Sequence, residues 1–200
     1  MASSNKRHTL RLSDLSDDEA LELRKFFEGY GITAEKENEE TPKIMFEKLF
    51  EFIKGQHKVK YWMYYMLGDM LTMRGQFKEA ISTYTQATDL SPADPRAWYS
   101  MAVLHRAISY EPDRRKTWQK DLANALQKDK KMAENMQQWE KQNQNFLQAA
   151  SESQLAKSPV ETANTAFTYF QKVLECNISE QDRARVQDNV RSLEEWKKTK

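Results

Sequence analysis

The chain has 200 residues, of which 31 are Lys or Arg and 30 are Asp or Glu, so its formal net charge is +1. This balance argues against a dedicated nucleic-acid-binding protein, and no apolar run reaches the roughly 20 residues that span a bilayer. Gly and Pro number only 5 each, a composition typical of helices. The single cysteine, Cys176, excludes an intrachain disulfide and favours a reducing compartment, so we expect a cytoplasmic protein. Residues 1–12 are basic and free of acids, which leaves import into an organelle open.

The first predicted helix spans residues 13–30. Ser16 and Glu19 have the spacing of a capping box, and Gly29 and Gly31 indicate the end of the helix. Residues 33–42 are polar, acidic and without periodicity, which is typical of a solvated linker. The sequence therefore predicts an N-terminal segment, residues 1–41, made of one helix and a linker.

Pro, Gly and capping residues predict the remaining helices in chain order. These run from Pro42 to Gly55, then as two helices within 61–94 that separate near Gly75, then over Arg96–Tyr110, 113–131 and 132–157, from Ser158 onward, and over 179–198. The helix that begins at Arg96 is expected to end before Pro112, because the residue before a proline avoids helical dihedral angles. No β-branched run with a period of two appears, so the sequence predicts an all-α fold.

Small and large residues alternate at set places within residues 61–94. The set consists of Tyr64, Leu67, Gly68, Ala80, Tyr84, Ala87 and Pro92. With Tyr61 as position 1, they occupy positions 4, 7, 8, 20, 24, 27 and 32. This pattern resembles the tetratricopeptide repeat (TPR), whose period is about 34 residues. The resemblance implies a helix hairpin in which the small residues allow close approach of the helices and Pro92 closes the turn.

Weaker matches to the same repeat flank this segment. Counting forward places Trp98, Met101, Ala102 and His105 at positions 4, 7, 8 and 11 of a following repeat. We expect its second helix to resume at Trp118 after an insertion at 109–114, and residues 166–177 align as a further second helix with 80–91. The resemblance implies a right-handed superhelical array of antiparallel helix hairpins over 42–178. The helices of 1–41 and 179–200 are then predicted to cap its ends, because stacked repeats need terminal caps.

Members of this family bind ligands mainly in the concave groove of the first helices. Carried onto this sequence, the groove comprises Trp62, Tyr65, Asp69, Met73, Arg96, Tyr99 and Arg106. Trp, Tyr and Arg are the residues that dominate binding hot spots, and arginines favour a carboxylate or an acidic segment. The competing interpretation is that Trp62 and Tyr65 only pack against the preceding helix.

The function that this resemblance implies is a non-catalytic scaffold, adaptor or assembly factor for another protein, with no cofactor and no metal site. Chaperone-binding members hold a terminal carboxylate with Asn at position 9, where this chain has Asp69 and then Val103, so a chaperone tail is not the expected partner. The three histidines are scattered, and no catalytic motif occurs. Two alternatives remain open: RNA binding through the basic residues of 114–131, and a structural subunit whose helix 132–157 docks on a partner. The oligomeric state does not follow from the sequence.

Overall fold

The architecture is a set of packed helices. The computed structural model describes residues 15–33, 40–55, 58–128 and 158–200, with residues 131, 133–138, 141, 144 and 148 between the last two ranges. The helices are α1 (Asp17–Glu28), α2 (Thr41–Lys54), α3 (Tyr61–Met73), α4 (Phe77–Leu90), α5 (Pro95–Lys128), α6 (Pro159–Glu175) and α7 (Glu180–Lys197). The described ranges contain no strand, and the all-α class is confirmed. The right-handed superhelix stays a prediction, as does the division at residues 41 and 178. Predictions for residues 1–12 and for most of 132–157 lie outside the described residues.

Three of the helices begin at the serine caps that the sequence indicates. The side chains of Ser16, Ser158 and Ser179 each accept a hydrogen bond from a backbone N–H three residues further on. At Ser16 the capping box is complete, because the Glu19 carboxylate also accepts from the Ser16 N–H at 2.8 Å. These bonds satisfy backbone donors that the first turn of a helix leaves without partners.

Helices α3 and α4 form the hairpin that the repeat pattern predicts. A Cβ atom built on Gly68 would lie 2.5 Å from Cε1 of Tyr84, so only glycine allows this approach. Ala80 and Ala87 of α4 are fully buried, and Tyr84 is 1% exposed. Close contact at small residues thus places α3 and α4 side by side, and one face of α3 is left for other helices.

The prediction that a helix ends before Pro112 is wrong. Helix α5 continues through Pro112 to Lys128, so the predicted insertion at 109–114 is part of the helix. Proline inside a helix removes one hydrogen bond and costs about 3 kcal/mol. Ile108 next to it is buried in the core and the Tyr110 ring packs on Trp196 at 5.0 Å, and these apolar contacts offset this cost. A local rule about proline is outweighed here by tertiary contacts.

The second helix that packs against α5 is α6. The predicted second helix beginning at Trp118 is wrong, because residues 118–126 belong to α5 itself. Ring contacts join Tyr99 to Phe170 at 6.1 Å and His105 to Tyr169 at 5.4 Å. Cys176 at the end of α6 reaches the Pro92 carbonyl before the start of α5, so the two helices run antiparallel. Residues 166–177, predicted as the second helix of a further repeat, therefore lie largely in α6, which packs on α5 after the long insertion between residues 128 and 158.

The terminal helices pack on this array. Leu23 and Phe27 of α1 are buried in the same hydrophobic cluster as the core residues of α3, α4 and the first half of α5. Helix α7 contributes Val186 to a cluster with Ala102 and Phe170. Both helices thus lie against α3 or α5, and their positions determine how much of the predicted groove is covered.

Candidate functional site

The predicted groove residues lie on α3 and α5, and we call the surface they form the first-helix face. The structure divides this face into three parts. Trp62 and Arg96 contact α1, with Tyr65 beside Arg96; Tyr99 and Arg106 lie beside α7; Asp69 and Met73 make up the remainder. Two of the three parts are therefore in contact with helices of the chain itself.

Trp62 is held by a carboxylate of α1. Its indole Nε1 donates to Glu22 Oε2 at 2.9 Å, and its side chain is only 3% exposed. Lys60, which precedes α3, donates to the other oxygen of Glu22 at 2.5 Å. The ring of Phe26, one turn further along α1, lies edge-on to Trp62 at 6.4 Å. Trp62 therefore binds α1 through both its polar edge and its apolar face.

Arg96 is the centre of a second carboxylate contact with α1. Its two terminal nitrogens donate to the two oxygens of Glu19 at 2.7 and 2.9 Å, a bidentate pair. Asp94 accepts further hydrogen bonds from the same guanidinium, which leaves Arg96 23% exposed. The guanidinium carbon lies 4.9 Å from the ring centre of Tyr61 and 5.4 Å from that of Tyr65. Two aromatic rings and two carboxylates thus fix the orientation of Arg96.

The protonation states of these carboxylates favour the contacts. Burial raises the pKa of Glu19, but hydrogen bonds from Arg96 and Ser16 outweigh it and hold this pKa below its ordinary value. Hydrogen bonds from Lys60 and Trp62 lower the pKa of Glu22 in the same way. Both side chains are therefore ionised near neutral pH.

Helix α7 contacts the second part of the first-helix face. Arg106 donates to the Asn189 side-chain oxygen, and the Asn189 amide lies 3.5 Å from the hydroxyl of Tyr99. The guanidinium carbon of Arg185 lies 5.2 Å from the centre of the Tyr99 ring. Tyr99 and Arg106 thus contribute to the packing of α7 on α5.

The third part contains Asp69 and Met73. Asp69 accepts a hydrogen bond of 2.5 Å from the hydroxyl of Tyr84. Burial, together with the charge of Asp69, raises the pKa of Tyr84. Met73 at the end of α3 is 50% exposed, so among the predicted groove residues it presents a large apolar side chain to the solvent.

A comparison with models of protein families assigns the middle part of the chain. Residues 68–113 match the family model of the TPR repeat. The match begins at Gly68 on α3 and extends through α4 to Asp113 on α5, so the resemblance predicted from the sequence is confirmed for this segment. No curated protein matches the chain, and no solved structure matches it. The TPR repeat is in general a protein–protein interaction module and is typically non-catalytic.

The residues that sequence reasoning missed lie outside the TPR segment. Lys60 is absent from the groove positions that the repeat predicts, and α1 is predicted only to cap the array. A usable signal is present in the sequence, because Glu19 and Glu22 lie one turn apart on α1 and so project from the same side of the helix. Trp62 and Arg96 occupy the same position in the two successive repeats predicted from the sequence, which gives two binding groups for two acids.

Within the described ranges, the structure offers few groups for other chemistry. No three His, Cys, Asp or Glu side chains there are placed to hold a metal ion, and no helix combines the length and hydrophobicity that crossing a membrane requires. Cys176 is buried, its thiol lies 3.2 Å from the Lys172 carbonyl, and burial raises its pKa. A raised pKa reduces the thiolate that a nucleophile needs.

His105 predicts a pH dependence of stability. It is 4% exposed, neither ring nitrogen has a hydrogen-bond partner among the described residues, and burial lowers its pKa from 6.5 to about 4. The unfolded chain takes up a proton near pH 6.5 and the folded chain does not, so stability is lost as the pH falls below 6.5. We expect the free energy of unfolding to drop by about 1 kcal/mol between pH 7 and about pH 5.5.

Urea denaturation at the two pH values measures this effect, with His105→Leu as the comparison. Leucine already occupies the equivalent repeat position at Leu71, which is 3% exposed, so the replacement suits the site. The variant should lose the pH dependence in this range, since the pKa values of Glu19 and Asp94 are lowered and these groups titrate at more acidic pH. Equal pH dependence in both proteins would contradict the role given to His105.

Proposed function

We propose that the protein is a non-catalytic adaptor or assembly factor of the cytoplasm, which holds a segment of another protein against the first-helix face. The observation that carries this proposal is the pair formed by Trp62 and Arg96. These residues occupy one position of two successive repeats, and together they bind a helix through its carboxylates. A surface with this property suits a partner that presents acidic side chains at helical spacing.

The physical character of the first-helix face supports a protein ligand. Trp, Tyr and Arg dominate binding hot spots, because they combine large contact areas with polar groups that fix orientation. Here the rings of Tyr61 and Tyr65 hold the guanidinium of Arg96, so little side-chain freedom remains to be lost when a ligand carboxylate binds.

Asp69 favours a partner other than a chaperone tail. Its carboxylate stands where chaperone-binding TPR proteins use Asn, and a free C-terminal carboxylate would be repelled there. The hydrogen bond from Tyr84 keeps Asp69 in place at 2.5 Å. An internal acidic helix, whose charges can reach Arg96 and Lys60 instead, avoids this repulsion.

A pull-down with a surface variant tests the adaptor role. Met73→Asp places a charge on the exposed end of the first-helix face, and we expect at least a fivefold loss of the recovered partner. Leu90→Asp is the matched control, because Leu90 ends α4 and is 53% exposed against 50% for Met73. Equal recovery with both variants would contradict binding through the first-helix face.

RNA binding is a second candidate, and the exposed basic side chains in the second half of α5 favour it. Arg114, Arg115, Lys116 and Lys120 are all exposed, a pattern that suits phosphate contacts. Arg115 forms an ion pair of 2.6 Å with Glu111, which reduces the charge available to a phosphate. Ribonuclease treatment during the pull-down separates the two functions, because it removes an RNA-bridged partner and leaves a directly bound protein.

A further inference from the structure

Helix α1 lies across the start of two first helices. Its Glu19 meets Arg96 in the first turn of α5, and its Glu22 meets Trp62 in the first turn of α3. Further along, the ring of Phe26 contacts Phe52 near the end of α2 at 5.1 Å. Successive turns of α1 therefore contact successive helices of the array, as a bound helical ligand would.

The two acidic contacts of α1 repeat along the helix. The acids lie three residues apart, on one side of α1, and each meets the residue at the same position of a different repeat. Next to them, Leu23 and Phe27 are buried at 2% and 4% exposure, and Phe26 packs on Trp62. The pattern that the array recognises is thus Glu-x-x-Glu-apolar-x-x-apolar-apolar, read along a helix.

We infer that the surface around Lys60, Trp62 and Arg96 is a receptor for an acidic amphipathic helix of a partner protein, and that α1 is its built-in competitor. This inference rests on the proposed function and specifies the chemistry of the partner. The partner carries two carboxylates one helical turn apart, followed by apolar residues at the places of Leu23, Phe26 and Phe27. Binding of the partner displaces α1 from the first turns of α3 and α5.

Tethering makes α1 an effective competitor. Residues 29–40 join α1 to α2, and so short a connection gives the attached helix an effective concentration on the order of millimolar. A free helix with the same contacts therefore binds weakly to the unchanged chain. Weakening the contacts of α1 should raise the affinity for that free helix, because competition falls while the receptor residues stay intact.

The test uses a fluorescent peptide with the sequence of residues 14–31 and the full-length chain. The chain variant Glu19→Gln/Glu22→Gln removes both charges of α1 and leaves Lys60, Trp62 and Arg96 unchanged. We expect fluorescence anisotropy to show at least tenfold tighter binding of the peptide to this variant than to the wild-type chain. A peptide with Gln at both acidic positions should bind the variant at least tenfold more weakly than the acidic peptide.

Matched controls identify the surface. Asp18→Asn/Glu28→Gln makes the same charge change on exposed residues of α1 and should leave peptide binding at the wild-type level. Adding Arg96→Gln to Glu19→Gln/Glu22→Gln should return peptide affinity to the wild-type level. Circular dichroism verifies that each variant folds. Glu22→Gln alone, at a side chain that is 42% exposed, must also tighten binding of the acidic peptide.

Two outcomes overturn the inference: no gain in affinity for the acidic peptide, or equal binding of the acidic and Gln peptides. Either outcome would remove the acidic helix as the ligand of Trp62 and Arg96, while the Met73→Asp pull-down tests separately whether a partner binds the exposed end of the first-helix face. Loss of the partner in that pull-down without peptide binding would leave the adaptor function standing and remove the acidic helix as its ligand. Tight, charge-dependent peptide binding with unchanged partner recovery in the pull-down would show that this surface binds an acidic helix and would contradict binding of the recovered partner at Met73.

Discussion

Phe170→Ala is expected to lower the free energy of unfolding by about 4 kcal/mol. Phe170 of α6 is fully buried against α5 and α7, where it shares a cluster with Ala102 and Val186 and lies 6.1 Å from the ring of Tyr99. Removing the ring loses its hydrophobic transfer energy and leaves a cavity that the helices around it fill only in part. Urea denaturation followed by circular dichroism measures the difference.

The matched control for this prediction is Phe50→Ala. Phe50 is 41% exposed on α2, so the same chemical change there should cost only about 1 kcal/mol. Similar losses for the two variants would mean that α6 does not pack on α5 as the second helix of a hairpin. A large loss for Phe170 alone supports a hairpin whose two helices are separated by a long insertion.

The hairpin of α3 and α4 could be predicted from the sequence, because its determinants are local. Gly68, Ala80 and Pro92 lie within one repeat, and each indicates a contact or a turn within that same segment. The helix starts at Ser158 and Ser179 were predictable for a similar reason, since a cap binds a backbone group three residues away.

The partner of α5 could not be located by counting along the repeat. A fixed period places the second helix directly after the first, whereas α6 begins at Pro159, far beyond the end of α5 at Lys128. Pro112 added to the error, because it indicates a helix end when only local dihedral preferences are considered. The resemblance of residues 166–177 to a second helix was the better guide, since it reflects which residues pack together.

The sequence predicts that Arg96 binds a carboxylate, but not which carboxylate it binds. Arg96 was expected to bind a carboxylate, and it does so in bidentate form, but the carboxylate belongs to Glu19 of the same chain. The sequence assigns Glu19 to the capping box, a role that it also has. The spacing of Glu19 and Glu22 indicates an acidic side of α1, but it does not indicate that Glu19 reaches the start of α5, since pairing over such a distance depends on how α1 docks.

Gly68→Ala is expected to lower the free energy of unfolding by about 3 kcal/mol, although alanine is the better helix former by about 1 kcal/mol. The new Cβ atom would lie 2.5, 2.6 and 2.9 Å from three ring atoms of Tyr84, closer than such atoms approach. The ring cannot move aside easily, because it is 1% exposed and its hydroxyl is bound to Asp69 at 2.5 Å. Thermal and urea denaturation measure the loss.

A double-mutant cycle with Tyr84→Leu separates this steric cause from any other effect of the alanine. Leucine lacks Cε1 and Cζ, and its Cδ methyls can rotate away from the new Cβ, so Gly68→Ala should cost little, or even stabilise α3, when it is introduced together with Tyr84→Leu. An unchanged cost in the double mutant would contradict close packing between α3 and α4 as the reason for glycine. Since α3 carries Trp62 and Met73, the same contact positions the upstream part of the first-helix face, and partner binding should weaken with Gly68→Ala and recover with the second substitution.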